Sequence, residues 1–143
     1  MKTFMYCLAL AGMAVFASPA FAQAPTLSSV EAKFDTTTDG KNPDTKLDVY
    51  VKNSGGQEVA KSEGNEGQWD KHSSHSVTLE IEGNPTKADV ASGSLALTFH
   101  PRGSDDWKFN YQVTLKFSDD SSIIKTVEGC QLTQYNTARK DPL

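Results

Sequence analysis

The chain has 143 residues, 14 Lys and Arg against 18 Asp and Glu, a formal net charge of −4 and 37% hydrophobic residues. That acidic balance makes nucleic acid a poor partner, because phosphate binding needs a basic surface. The length suits one domain with a core of its own, without help from disulfides.

The first segment has the composition of an export signal. Lys2 supplies a positive start, Phe4 to Ala17 is apolar, and Ser18-Pro19-Ala20-Phe21-Ala22 ends in an A-x-A pattern with cleavage expected before Gln23. A transmembrane anchor would need about 20 apolar residues, and this run is shorter and ends in small ones. Cys7 lies too early, after Met5 and Tyr6, for a lipoprotein anchor. The expected organisation is therefore a signal over residues 1–22 and one domain over 23–143, with no transmembrane segment after cleavage. Removing 22 residues, Lys2 among them, leaves 121 residues with 13 basic and 18 acidic side chains, a net of −5. One cysteine, Cys130, stays in that domain and is expected to be buried as a small hydrophobe. Asn84-Pro85-Thr86 and Asn136-Thr137-Ala138 both fail the glycosylation pattern. A short, plain signal without sequons points to a bacterial, periplasmic or secreted protein.

After the signal, short alternating runs recur between turn-rich connectors, and no apolar stripe of helical period stands out. Leu27 to Phe34 places Val30, Ala32 and Phe34 on one face. Asp35 to Asp44 is an acidic loop broken by Gly40 and Pro43. Thr45 to Asn53 carries Leu47, Val49 and Val51 inward, and Ser54-Gly55-Gly56 reverses the chain into Gln57 to Ser62, a weak run expected at a sheet edge. Glu63 to Ser74 is a polar loop with Trp69 as its only large apolar residue. His75 to Glu82 and Ser94 to His100 are further alternating runs. Between them Asn84-Pro85 breaks pairing and Ala88 to Ala91 allows one helical turn.

Trp107 to Phe117 is the strongest signal. Trp107, Phe109, Tyr111, Val113, Leu115 and Phe117 alternate with polar residues, so six apolar side chains line one face of a long strand. Ser118 to Ser121 is a tight hairpin in which Asp119 and Asp120 serve turn geometry, and Ser122 to Val127 returns. Gly129 ends that strand, Gln131 to Tyr135 is the candidate eighth, and Ala138 to Leu143 reads as a frayed polar tail. The fold class expected is all-β, an antiparallel β-sandwich of seven to eight strands, with an open barrel as the rival.

If neighbouring strands reverse direction, the connectors 35–44, 63–74 and 101–106 share one end of the molecule. That end gathers Asp35, Asp39, Asn42, Asp44, Glu63, Glu66, Asp70, Asp105 and Asp106. Like charges crowd there at a cost unless something cationic sits among them. Oxygen ligands on loops suit calcium, at about six to eight oxygens, and Asp35, Asp39, Asn42, Asp44, Asp105 and Asp106 form the candidate set. The bland alternative is a solvated acidic loop chosen for its turns. Asp70-Lys71-His72-Ser73-Ser74-His75 has a D-x-H-x-x-H spacing that two imidazoles and a carboxylate offer to zinc or copper, against exposed polar histidines. Trp69 either anchors its loop in the core or stands beside Asp70 and His72 as a ligand contact. His100, Ser104 and Asp105 make no triad, for no G-x-S-x-G elbow exists, and no catalytic constellation is evident.

The acidic loop before an L-x-V-x-V strand, a hairpin, and then G-S-L-A-L-T-F-H-P-R-G-S-D-D-W-K-F running into a long aromatic strand resembles the PLAT and C2-like β-sandwich superfamily over Val30 to Val127. The resemblance implies an eight-stranded sandwich with calcium at the loops of one end, Asp35, Asp39, Asp44, Asp105 and Asp106 as ligands, and a lipid or protein partner. The departure is that such domains are usually appended to enzymes. Three readings of function follow: a non-catalytic, calcium-assisted binding module for a lipid, glycan or protein; a metal-independent structural or interaction subunit; and a small hydrolase using His100 or the His72 and His75 pair.

Overall fold

The computed structural model describes residues 22–143, so all of the expected signal but Ala22 lies outside the described residues. Eight antiparallel strands follow in order: β1 (Leu27–Thr36), β2 (Lys46–Lys52), β3 (Glu58–Asn65), β4 (Ser74–Ile81), β5 (Ser94–His100), β6 (Asp106–Phe117), β7 (Ser122–Thr133) and β8 (Ala138–Pro142). One short helix, α1 (Lys87–Ala91), lies between β4 and β5, capped by Thr86 and Asp89 bonding each other's backbone N–H. The all-β antiparallel class is as expected from the alternation.

The strands form one sheet in the order β7-β6-β1-β4-β3-β2-β5-β8. Two four-stranded halves meet at a narrow junction between β3 and β4, where only Ala60↔Ile81 and Lys61↔Glu80 pair. The halves face each other across the core, with the rings of Phe99 on β5 and Trp107 on β6 stacked at 6.1 Å. A sandwich and a nearly closed barrel are thus the same object here. β7 and β8 form the two edges, yet only residues 134–137 join them, so the edges lie along a common seam. Tyr111 Oη donates to Asp141 across it at 2.7 Å, and Arg139 holds the same carboxylate at 2.6 Å. Cys130 is buried beneath, and burial pushes its thiol pKa up.

Two expectations are corrected. The run after Ser54-Gly55-Gly56 is no edge: β3 lies between β4 and β2. Its few apolar residues reflect the narrow junction it makes. Gln131 to Thr133 continues β7 through Gly129, whose φ is +66°, and the eighth strand is instead Ala138–Pro142. Its half-buried positions are the charged Arg139 and Asp141, so it shows no apolar alternation. Inward charges, Lys140 and Pro142 are what guards an exposed strand against pairing with other chains. On the other edge Lys125 shares the inner side with Ile123 and Val127, beside Val113.

The aromatic residues of β6 meet Phe34 at the loop-rich end of the core. Phe34 lies within 6.0 Å of the Trp69, Trp107, Phe109 and Tyr111 rings, and none of its surface is exposed. Truncating it removes a ring from a packed cluster and leaves a cavity, so Phe34→Ala should cost about 3–5 kcal/mol in chemical denaturation and Phe34→Leu clearly less.

Candidate functional site

Loops 37–45, 66–73 and 101–105 do converge at one end, as strand parity requires. Thr37 N donates to Lys108 O, Gly67 N to Pro43 O and His72 N to Thr37 O, at 2.8, 3.1 and 3.2 Å. Lys41 and Trp69 exchange two backbone hydrogen bonds of 3.0 Å, a miniature strand pair between the first two loops. A Cβ on Gly40 would lie 2.6 Å from the Trp69 carbonyl oxygen, so the approach needs glycine. The connection between β7 and β8 joins the same end, since Gln134 N donates to Asp105 O at 3.1 Å.

A cation of the chain itself, Lys41, lies at the centre of this end. Its side chain is only 1% exposed. The ammonium donates to the Gly67 carbonyl at 2.6 Å, Thr45 at 2.7 Å and Asn42 at 3.4 Å, which uses all three of its protons. It also lies 4.9 Å from the centre of the Trp69 ring, within cation–π range. Burial pushes its pKa down to about 8, with Asp105 and Glu66 opposing the shift.

The candidate ligands are distributed among partners around this ammonium. Asp105 is buried and accepts from Asn42 N at 3.1 Å and Thr45 Oγ1 at 2.5 Å. Asp39 pairs with Lys108 at 2.8 Å, and that hydrogen bond holds its carboxyl below the ordinary range. Asp35 lies 3.5 Å from Lys33 and accepts from Ser74 Oγ. Lys46, 2.9 Å away, likewise lowers the pKa of Glu66. Asp44 and Asp106 are exposed, and the Asn42 side chain donates to Ser104 O at 3.4 Å. Among the described residues, no three His, Cys, Asp or Glu side chains gather into a set able to hold a metal ion.

Trp69 is the anchor of its loop. It is 5% exposed, with its ring at 5.2 Å from Trp107 and stacked at 4.8 Å on His75, so it is enclosed and offers no surface contact. The loop bends inward there because the indole fills the end of the core. Asp70 accepts from Gln68 Nε2 at 2.6 Å, and exposed His72 adopts a left-handed backbone at φ +59°. The D-x-H-x-x-H residues therefore do not converge as a ligand set: His75 is held on Trp69, with Ser73 Oγ 3.1 Å from its Nε2. His100 faces outward from β5, its Nε2 2.7 Å from Asp48, a carboxylate that also accepts from Gly64 N at 2.6 Å. Neither Ser104 nor Asp105 is among its partners.

Sequence reasoning missed Lys41 and Tyr135. A lysine in a polar loop has no pattern to mark it. Tyr135 is 91% exposed, between Gln134, which is tied to Asp105, and Asn136, whose N–H bonds Thr133 Oγ1 at 3.0 Å. A rigid turn thus presents a bare aromatic ring beside the Lys41 end.

No family model matches the chain, and no curated protein matches it either.

Replacing Lys41 by Met should leave the buried Thr45 carbonyl without a donor, at about 1–3 kcal/mol, and lower the unfolding free energy by roughly 2 kcal/mol. The pH dependence has a definite sign. Between pH 8 and about 10 the unfolded chain keeps the Lys41 proton while the folded chain releases it, so stability relative to Lys41→Met rises with pH across that window. Urea titrations of both proteins at pH 7, 8, 9 and 10 check it, and a flat difference would contradict it.

Proposed function

We propose that this chain is an exported, non-catalytic interaction module whose recognition surface is the loop end organised by Lys41. One observation carries the reading: a single buried ammonium ties the carbonyls of two loops together, beside the Asp105 carboxylate of a third, and Tyr135 projects from the adjoining turn. A surface ordered before binding loses little conformational entropy when a partner docks, and an exposed tyrosine offers large contact area with few rotatable bonds. Lys41 supplies from within the chain the positive charge that calcium would bring, so the reading favoured is the metal-independent form. The export signal over residues 1–22 makes the periplasm or the cell exterior its place of work, with a lipid, glycan or protein as partner.

Thermal unfolding of the domain 23–143 in excess EDTA, in millimolar calcium and in millimolar magnesium tests the metal question. The expected midpoints agree. A ligand held at about 100 times its Kd would add roughly 2.7 kcal/mol, so a calcium-specific rise removed by Asp39→Asn with Asp105→Asn would favour the calcium-assisted form instead.

The surface itself is tested with glycan arrays and with vesicles of anionic and of neutral lipid. Tyr135→Ala should leave the thermal midpoint within about 1 °C, as expected of an exposed side chain, and weaken whatever binding the parent protein shows by roughly tenfold. Unchanged binding in that variant would remove Tyr135 and its turn from the recognition surface.

A further inference from the structure

At the end of the molecule opposite Lys41, a cleft of about 320 Å³ lies between the Ser54 to Gly56 turn, the segment after α1 and the last residues of β8. It is lined by Asn53, Ser54, Ser92, Ser94, Lys140 and Pro142, with the backbone of Gly56 and Gly93. Its volume falls in the range of small-molecule sites. Gly93 is needed to bring the wall in, because a Cβ there would lie 2.1 Å from the Lys52 carbonyl oxygen.

Three serine hydroxyls and one ammonium line this cleft, and none of them makes a side-chain hydrogen bond among the described residues. Ser94 is only 6% exposed, and its hydroxyl has no hydrogen-bond partner among the described residues. Every fully enclosed side-chain polar atom among those residues does have a partner, so the Ser94 oxygen reaches open space. The Ser54 and Ser92 hydroxyls are also unpaired there, and Lys140 is the cleft's one charged side chain, in no ion pair among the described residues. Nearby side-chain carboxylates are committed elsewhere: Asp89 to the α1 cap, Asp141 to Tyr111 and Arg139, Glu58 to Lys52. A cation beside three hydroxyl donors is chemistry suited to a negatively charged, multiply accepting group.

We infer that this cleft is a binding site for a tetrahedral oxyanion, phosphate or sulfate, either free or carried on a small molecule. Lys140 neutralises the charge, and Ser54, Ser92 and Ser94 donate to the peripheral oxygens. The site is independent of the loop end at the other pole and stands or falls without it.

Isothermal titration of the domain 23–143 with sodium phosphate, sodium sulfate and glucose 6-phosphate, at constant ionic strength with sodium chloride as control, tests the assignment. Saturable binding of phosphate or sulfate is expected, and tighter binding of the sugar phosphate would identify a carried group as the occupant. A charge-assisted hydrogen bond is stronger than a neutral one, so Lys140→Met should weaken binding roughly tenfold or more, and Ser94→Ala severalfold. Lys125→Met, on the far edge strand, should leave it unchanged. Absence of saturable binding, equal heats from chloride, or full affinity in Lys140→Met would overturn the inference. A thermal midpoint measured on each variant separates a lost site from a lost fold.

Discussion

A charged amine enclosed by protein is costly unless every proton finds an acceptor and the charge finds a counterpart. Lys41 meets both conditions with backbone carbonyls, the face of Trp69 and the nearby carboxylates of Asp105 and Glu66. The geometry of one end of the molecule follows from that need. The Gly67 carbonyl must come to the ammonium, which draws the third connector over the first. The short backbone pairing of Lys41 with Trp69 then delivers the indole to Phe34 and Trp107. Asp105 brings the remaining loop by accepting from Asn42 and Thr45. Polar loops and aromatic core are therefore one structure, with Trp69 belonging to both.

Much of this was legible in the sequence. The strands with period-two alternation appear close to where the pattern places them, because a half-buried sheet enforces that period directly. The sorting of connectors onto two ends needed only strand parity. What stayed hidden was whatever lacks an apolar signature. β8 has charged residues on its inner side because it covers a seam rather than a core, and hydropathy reads it as tail. β3 sits inside the sheet but pairs with β4 over just two positions, so its composition resembles an edge.

The site was legible in part. Crowding of carboxylates at one end was visible, and so was the need for a positive charge among them. The burial of Lys41 among them was not, since a buried lysine and a solvated one look alike in a polar loop. The distribution of carboxylates over Lys33, Lys46 and Lys108 depends on side-chain directions that spacing does not encode. The cleft beside Ser94 and Lys140 draws on three segments far apart in the chain, which no local motif could announce.

The pairing of β1 with β6 has a kinetic consequence. Leu27 lies opposite Phe117 and Thr36 opposite Phe109, so these ladder partners are 90 and 73 residues apart along the chain. The hairpins β2–β3 and β6–β7 can form from local sequence, but β1 must wait for β6 before its longer ladder can form, and loop-closure entropy delays such distant contacts. Folding should thus be slow for a domain of this size. The β6-side edge of β1 stays unpaired until late, and during that interval the chain is most open to misassociation.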